Sequence, residues 1–126
     1  MRVVVTGSRG WTDRGRIAER LAQVDLALPP HSDAPVIVVG YNPEKDSPKG
    51  VDRIAYQEAQ KLGLIVEPHP ARWDEHGKRA GFIRNEEMAR AGADLCIAFW
   101  DGRSTGTLDM IVRAVKHLIL VDVVMG

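Results

Sequence analysis

The sequence predicts an α/β fold: a parallel five-stranded sheet with helices packed on both faces, in the order β-α-β-α-β-α-β-α-β. The first observation is a set of short apolar runs, "RVVVT" (2–6), "PVIVVG" (35–40), "LIVEP" (64–68), "DLCIAFW" (94–100) and "LILVDVV" (118–124). They lack polar alternation, as strands covered on both faces do. The second is helical spacing between the runs. Ile17, Leu21, Val24 and Leu28 define the first helix, and Val51, Ile54, Ala55, Ala59 and Leu62 the second. A less regular helix runs from about Lys78 to Ala91 with Phe82, Ile83 and Met88 as its larger apolar residues, and Leu108, Ile111, Val112 and Val115 mark the last. Gly63 and Gly92 fall where two helices must stop, the usual place for a residue that enters the left-handed region. Right-handed crossovers then give the strand order 3-2-1-4-5.

Composition bounds the function classes. A chain of 126 residues, 44% hydrophobic and 27% charged, suits one domain spanning 1–126. Seventeen basic and seventeen acidic side chains cancel, so no overall field draws it to nucleic acid or an anionic membrane. Any anion binding must be local. The one cysteine, Cys96, lies inside an apolar run, which excludes an intramolecular disulfide and fits a reducing compartment. No stretch is long enough to span a membrane, and the N-terminal run is too short for a signal peptide. The expectation is a soluble, cytoplasmic protein with no membrane partner.

In the order 3-2-1-4-5 the chain reverses direction between strands one and four, and ligands bind outside the carboxyl ends of the strands at such a point. Two loops border that crevice, "GSRGWTD" and "WDGRSTGT". In the second, Gly102 and Gly106 let backbone approach closely and Ser104, Thr105 and Thr107 offer hydroxyls, at a helix start whose unpaired amides favour an anion. The competing reading is a plain N-cap by Ser104 or Thr105. Gly7, Ser8 and Gly10 supply a second flexible, donor-rich turn, with Arg9 able to fork onto phosphate, and together the two loops favour a phosphate site.

Trp11, Tyr41, Trp73 and Trp100 each fall near the carboxyl end of a different strand, where a nucleobase could stack on one of them. They could equally cover the sheet edge or fill a subunit interface. In the third segment, Gly77 and Gly81 flank Lys78 and Arg79 at another helix start. Arg84 reads either as a pocket residue or as an exposed charge paired with Glu87 or Glu75. By helical spacing Arg84 and Asn85 need not reach one pocket, and Asn85 suits hydrogen bonds to a neighbouring loop.

Other chemistries find less support. His69 and His76 have Asp74 and Glu75 between them but no second ligand pair at zinc-like spacing, so no metal is expected. Cys96 sits mid-strand with nothing to lower its pKa. Ser8 and Ser104 lack a nucleophile elbow, and no P-loop sequence is present. No cofactor is required.

Four segments, "GSRGW" (7–11), "GVDRIAYQEAQKLG" (50–63), "RWDEHGKRAGFIRNEEM" (72–88) and "DGRSTGTLDM" (101–110), together resemble a small Rossmann-like family of the SLOG superfamily, in its YspA-like branch. The superfamily is named for the DNA-processing SMF proteins and the lonely-guy phosphoribohydrolases. The resemblance implies a Rossmann-like three-layer domain that binds a nucleotide or nucleotide-derived small molecule at these loops, with chemistry in some branches only. It adds Asp52 to the ligand-binding set. The second segment departs from the pattern through a polar insertion, "YNPEKDSPKG" (41–50), read as a solvated loop or as a lid whose Lys45 and Lys49 reach a phosphate. Lonely-guy enzymes carry Pro-Gly-Gly-x-Gly-Thr-x-x-Glu, with a catalytic carboxylate assisted by an arginine. Here Met110 stands at the glutamate position and Arg84 at the arginine. Asp109 is one residue early, rotated by about 100° on a helix, though it could bind a ribose hydroxyl. Arg84 and Asp109 are therefore the catalytic candidates if the protein is an enzyme at all.

The function expected is a module that senses, carries or sequesters a nucleotide or nucleotide sugar. The enzyme alternative is hydrolysis of an N-glycosidic or phosphate bond with Asp109, Asp13 or Asp101 as the carboxylate. Single-stranded DNA binding is the weaker alternative, since the basic residues are scattered. The apolar last strand is a candidate exposed edge, which makes a homodimer plausible.

Overall fold

The computed structural model describes residues 1–29, 32–41 and 50–126; the insertion's Lys45 and Lys49, and with them the choice between loop and lid, lie outside the described residues. In chain order the elements are β1 (Arg2–Gly7), α1 (Arg14–Ala27), β2 (Val36–Val39), α2 (Val51–Lys61), β3 (Ile65–Pro68), α3 (Trp73–His76), a 3₁₀ turn (Gly77–Arg79), α4 (Ala80–Ala91), β4 (Leu95–Trp100), α5 (Thr105–Lys116) and β5 (Leu120–Met125). All strand pairs are parallel and the order is β3-β2-β1-β4-β5, as the sequence predicts.

β1 is the central strand, and its successive side chains feed the two layers in turn. Val3 and Val5 pack with Ile17, Leu21 and Val24 of α1 and with Val51, Ile54, Ala55 and Ala59 of α2. Val4 points the other way, to Met88 and Ala89 of α4 and Met110 and Ala114 of α5. Each of these valines is fully buried, a gain of about 1.5–3 kcal/mol apiece. Asp13 caps α1, its Oδ1 accepting from the Arg16 amide at 3.2 Å. Gly63 and Gly92, beyond α2 and α4, have φ of 75° and 87°, as their predicted role requires.

The structure corrects two parts of the periodicity reading. The face of α5 that meets the sheet is Thr107, Met110 and Ala114, while Leu108, Val112 and Val115 are exposed. The apolar arc of this helix is wider than the sheet can cover, so spacing alone could not say which half is buried. The outer strands are also only half covered: Ile65 on β3 and Leu120 and Val123 on β5 are exposed. An edge strand can carry the same apolar residues as a central one, because composition does not encode position in the sheet.

On β3, Glu67 accepts from Nη1 and Nη2 of Arg2 at 3.0 and 2.7 Å and lies 2.8 Å from His69 Nε2. The Arg2 hydrogen bonds first, then His69, pull its carboxyl from 4.5 to about 2. A depressed carboxylate pKa contributes stability above the unfolded value and loses it as the pH falls toward the folded one. Because Glu67 is partly exposed, salt screens the effect. Glu67→Gln is therefore expected to unfold more readily than wild type at neutral pH, with the gap closing as pH drops from 4.5 to about 2 in denaturant titrations.

Cys96 is fully buried on β4, and burial pushes its thiol up to about 12. The folded protein is expected to leave a disulfide reagent unreacted at mildly alkaline pH and to react only after denaturation. Rapid native reaction would show that β4 opens locally.

Candidate functional site

The carboxyl ends of the strands open on a cavity of about 1000 Å³. Its walls are built by how closely the loops approach. A Cβ at Gly7 would lie 2.6 Å from the Phe99 carbonyl oxygen and inside the Val51 side chain, so only glycine lets β1 hand over to its loop between β4 and α2. The Ser8 amide donates to Phe99 O at 3.0 Å and Ser8 Oγ accepts from the Asp101 amide at 3.1 Å, tying the first loop to the loop after β4. Ser8 is thus a buried brace.

The loop after β4 is pulled into shape by Asp101, whose Oδ1 accepts from the amides of Arg103 and Ser104, each at 2.8 Å. Those bonds hold its carboxyl below the usual range. Ser104 is the N-cap of α5, accepting from the Thr107 amide at 3.4 Å and the Thr107 hydroxyl at 3.0 Å. Capping and cavity lining therefore coexist at Ser104. Between cap and Thr107 stand Thr105 and Gly106, whose amides have no carbonyl one turn back to bond. Both residues line the cavity, at the positive end of the helix dipole.

From the opposite side, α4 delivers Arg84 and Asn85. Arg84 Nη1 donates to Gly40 O at 2.6 Å and Nε donates to Asn85 Oδ1 at 3.0 Å. The guanidinium lies so close on β2's end that a Cβ at Gly40 would meet it at 2.6 Å. Neither Glu87 nor Glu75 is its partner. Contrary to the helical-spacing expectation, Arg84 and Asn85 both line the cavity, because the long arginine side chain folds back over its neighbour. Asn85, only 3% exposed, donates from Nδ2 to Gly106 O at 3.3 Å, so its side chain holds the first turn of α5.

Of the residues singled out from sequence, Gly7, Arg9, Asp52, Trp73, Lys78, Gly81, Arg84, Asn85, Ser104, Thr105, Gly106 and Thr107 converge on this cavity. Ser8, Trp11 and Gly102 stand behind it. Trp11 meets Phe99 edge-on at 5.5 Å and donates from Nε1 to Asp13 O at 2.9 Å, so its ring belongs to the core. Trp100 donates to Ser104 O at 3.0 Å and braces the α5 cap. Gly102 has φ of 81° and supplies the turn itself. Asp109 is turned toward α4, where its Oδ2 accepts from Asn85 at 3.0 Å and from Arg113 at 2.9 Å. Met110, at the lonely-guy glutamate position, is fully buried in the core.

Sequence reasoning missed Arg103, Phe82 and Gly40 as lining residues. Arg103 was within reach, since it sits inside the glycine and hydroxyl-rich turn; Gly40 was not, because its role depends on where Arg84 folds. Among the described residues, the lining cations are Arg9, Lys78, Arg84 and Arg103, against the carboxylates of Asp52 and Asp101, an excess of two positive charges in a chain whose net charge is zero. Arg9, Lys78 and Arg103 make no ion pair among the described residues. The aromatic wall is Tyr41, Trp73 and Phe82, with Tyr41 buried against Tyr56 at 5.3 Å and the other two more than 40% exposed.

The family model for the YspA, cpYpsA-related SLOG family matches residues 1–76. The chain is also similar to the Gene 61 protein of Mycobacterium phage D29, 42% identical over 116 residues that cover 91% of this chain and 89% of that protein. No solved structure matches.

Proposed function

The chain belongs to the YspA, cpYpsA-related SLOG family, and on that premise we propose that its cavity binds a nucleotide or nucleotide sugar, phosphate on the first turn of α5 and base against Trp73 or Phe82. The observation that carries this reading is the first turn of α5, where the amides of Thr105 and Gly106 make no hydrogen bond among the described residues and both residues line a cavity whose described lining carries more positive than negative charge. An anion there satisfies donors that the fold leaves open, and Arg9 and Arg103 are free to fork onto it. The exposed faces of Trp73 and Phe82 supply a stacking surface, worth about 1–3 kcal/mol per base.

The role is binding, as a sensor, carrier or sequestering module, rather than hydrolysis. Each carboxylate considered for hydrolysis is already committed: Asp13 to the α1 cap, Asp109 to Arg113 and Asn85, and Asp101 to two loop amides. Of these only Asp101 lines the cavity, and a carboxylate held below its usual pKa is a weak base.

The test is a thermal-shift series with adenosine, AMP, ADP, UDP-glucose and inorganic phosphate, followed by calorimetry on any that stabilise. A ligand at about 100 times its Kd should add roughly 2.7 kcal/mol of stability. Stabilisation by phosphorylated nucleosides but not by adenosine supports the reading. No shift with any of them, or equal shifts with and without phosphate, would sink it.

A further inference from the structure

We infer that Asp109, which does not border the cavity, positions Arg84 within it by fixing which way the Asn85 amide points. The inference deepens the nucleotide-binding reading and rests on it for what Arg84 holds. A guanidinium can only donate and a carboxylate can only accept, so an amide lying between them has one satisfactory orientation: NH₂ toward the carboxylate, oxygen toward the guanidinium. Asn85 lies between them. Its Nδ2 donates to Asp109 Oδ2 at 3.0 Å, and its Oδ1 accepts from Arg84 Nε at 3.0 Å.

Turning the amide over would put NH₂ against a guanidinium and oxygen against a carboxylate in a site where Asn85 is 3% exposed, too dry for water to repair the mismatch. Asp109 is in turn clamped. Arg113 Nε donates to its Oδ2 at 2.9 Å, and Arg113 Nη1 donates to Glu86 Oε1 at 3.2 Å. With Nε on Asn85 and Nη1 on Gly40 O at 2.6 Å, the guanidinium is held at the end of β2, and its Nη2 lies on the side of Gly81, 4.0 Å from where a Cβ there would stand. The same Asn85 amide reaches Gly106 O at 3.3 Å, so one side chain sets both Arg84 and the first turn of α5. Asp109 and Arg113, four residues apart on α5, thus act on the cavity through Asn85.

The test reads the Arg84 Nε–H and Asn85 Nδ2 signals in ¹⁵N spectra of the whole chain, then ADP affinity. In wild type the Arg84 Nε–H is expected to exchange with solvent well below the rate of exposed Arg9; an equal rate overturns the inference with no variant needed. Asp109→Ala is expected to speed that exchange and shift the Asn85 signals, while Asp109→Asn, which keeps an oxygen acceptor, retains most of the wild-type pattern. A folded Asp109→Ala protein with both signals unchanged overturns it.

For ADP, Asp109→Ala should raise Kd about tenfold and should add nothing further in an Arg84→Ala background, since its effect passes through Arg84. Equal losses in both backgrounds would mean a merely structural role and also overturn it. Failure of wild type to bind ADP counts against the nucleotide reading, whereas the exchange measurement still decides the role of Asp109.

Discussion

Gly106→Val is expected to lose nucleotide binding while keeping its fold. A Cβ at Gly106 would meet nothing within 4 Å, and Gly106 lines the cavity. On the proposed reading, in which phosphate sits on this turn, a valine side chain there competes with the ligand without pressing on protein. Valine is also no worse than glycine inside a helix, by a few tenths of a kcal/mol if anything. The loss should be about 1.5–3 kcal/mol, the worth of a hydrogen bond to a charged group, which corresponds to roughly ten- to a hundredfold in Kd. Calorimetry with the best ligand from the thermal-shift series measures it, with Tm as the control. Unchanged affinity in a folded variant would remove the first turn of α5 from the site. Loss of affinity together with a large fall in Tm would mean that Gly106 matters for folding, contrary to the open space around it.

Gly7→Ala is expected to do the opposite, harming the fold before the site. The added carbon would sit 2.6 Å from the Phe99 carbonyl oxygen and overlap Val51, and one of these neighbours is backbone of the central sheet. Overpacking of this kind costs about 1–3 kcal/mol, a fall in Tm of roughly 4–15 °C for a chain of this size. The control is Gly15→Ala, near the start of α1, where the new carbon meets only Asp13 Oδ1 at an ordinary 3.5 Å. There a gain of about 0.5–1 kcal/mol is expected, since alanine gives up less backbone entropy in a helix. If both variants melt alike, the close approach of β1, β4 and α2 is not what demands glycine at position 7.

These contrasts bear on what a linear reading can see. Arg9, Ser104, Thr105 and Gly106 were legible because the cause is local: a turn rich in glycine and hydroxyls before a helical pattern is a helix start whatever surrounds it. The strand order was legible as well, since right-handed crossovers leave few ways to cover both faces of a parallel sheet. Trp11 and Trp73 have the same residue type at equivalent places in the chain, yet one is core and the other is cavity wall. Trp11 packs on Phe99, far away in sequence, whereas Trp73 lies over Gly81 of the adjoining helix.

The sequence by itself determined the α/β class, the parallel strand order, the family and the two loops at the switch point, because periodicity, glycine stops and short motifs act over a few residues. Only the tertiary structure decided that Ser8 braces rather than lines, that α5 presents Thr107, Met110 and Ala114 to the sheet, and that Arg84 lies across Gly40. Two of those outcomes turn on contacts 44 and 93 residues apart, between Arg84 and Gly40 and between Ser8 and Asp101. A hydrogen bond or a close approach across such a separation is set by how whole layers pack, which no local pattern records.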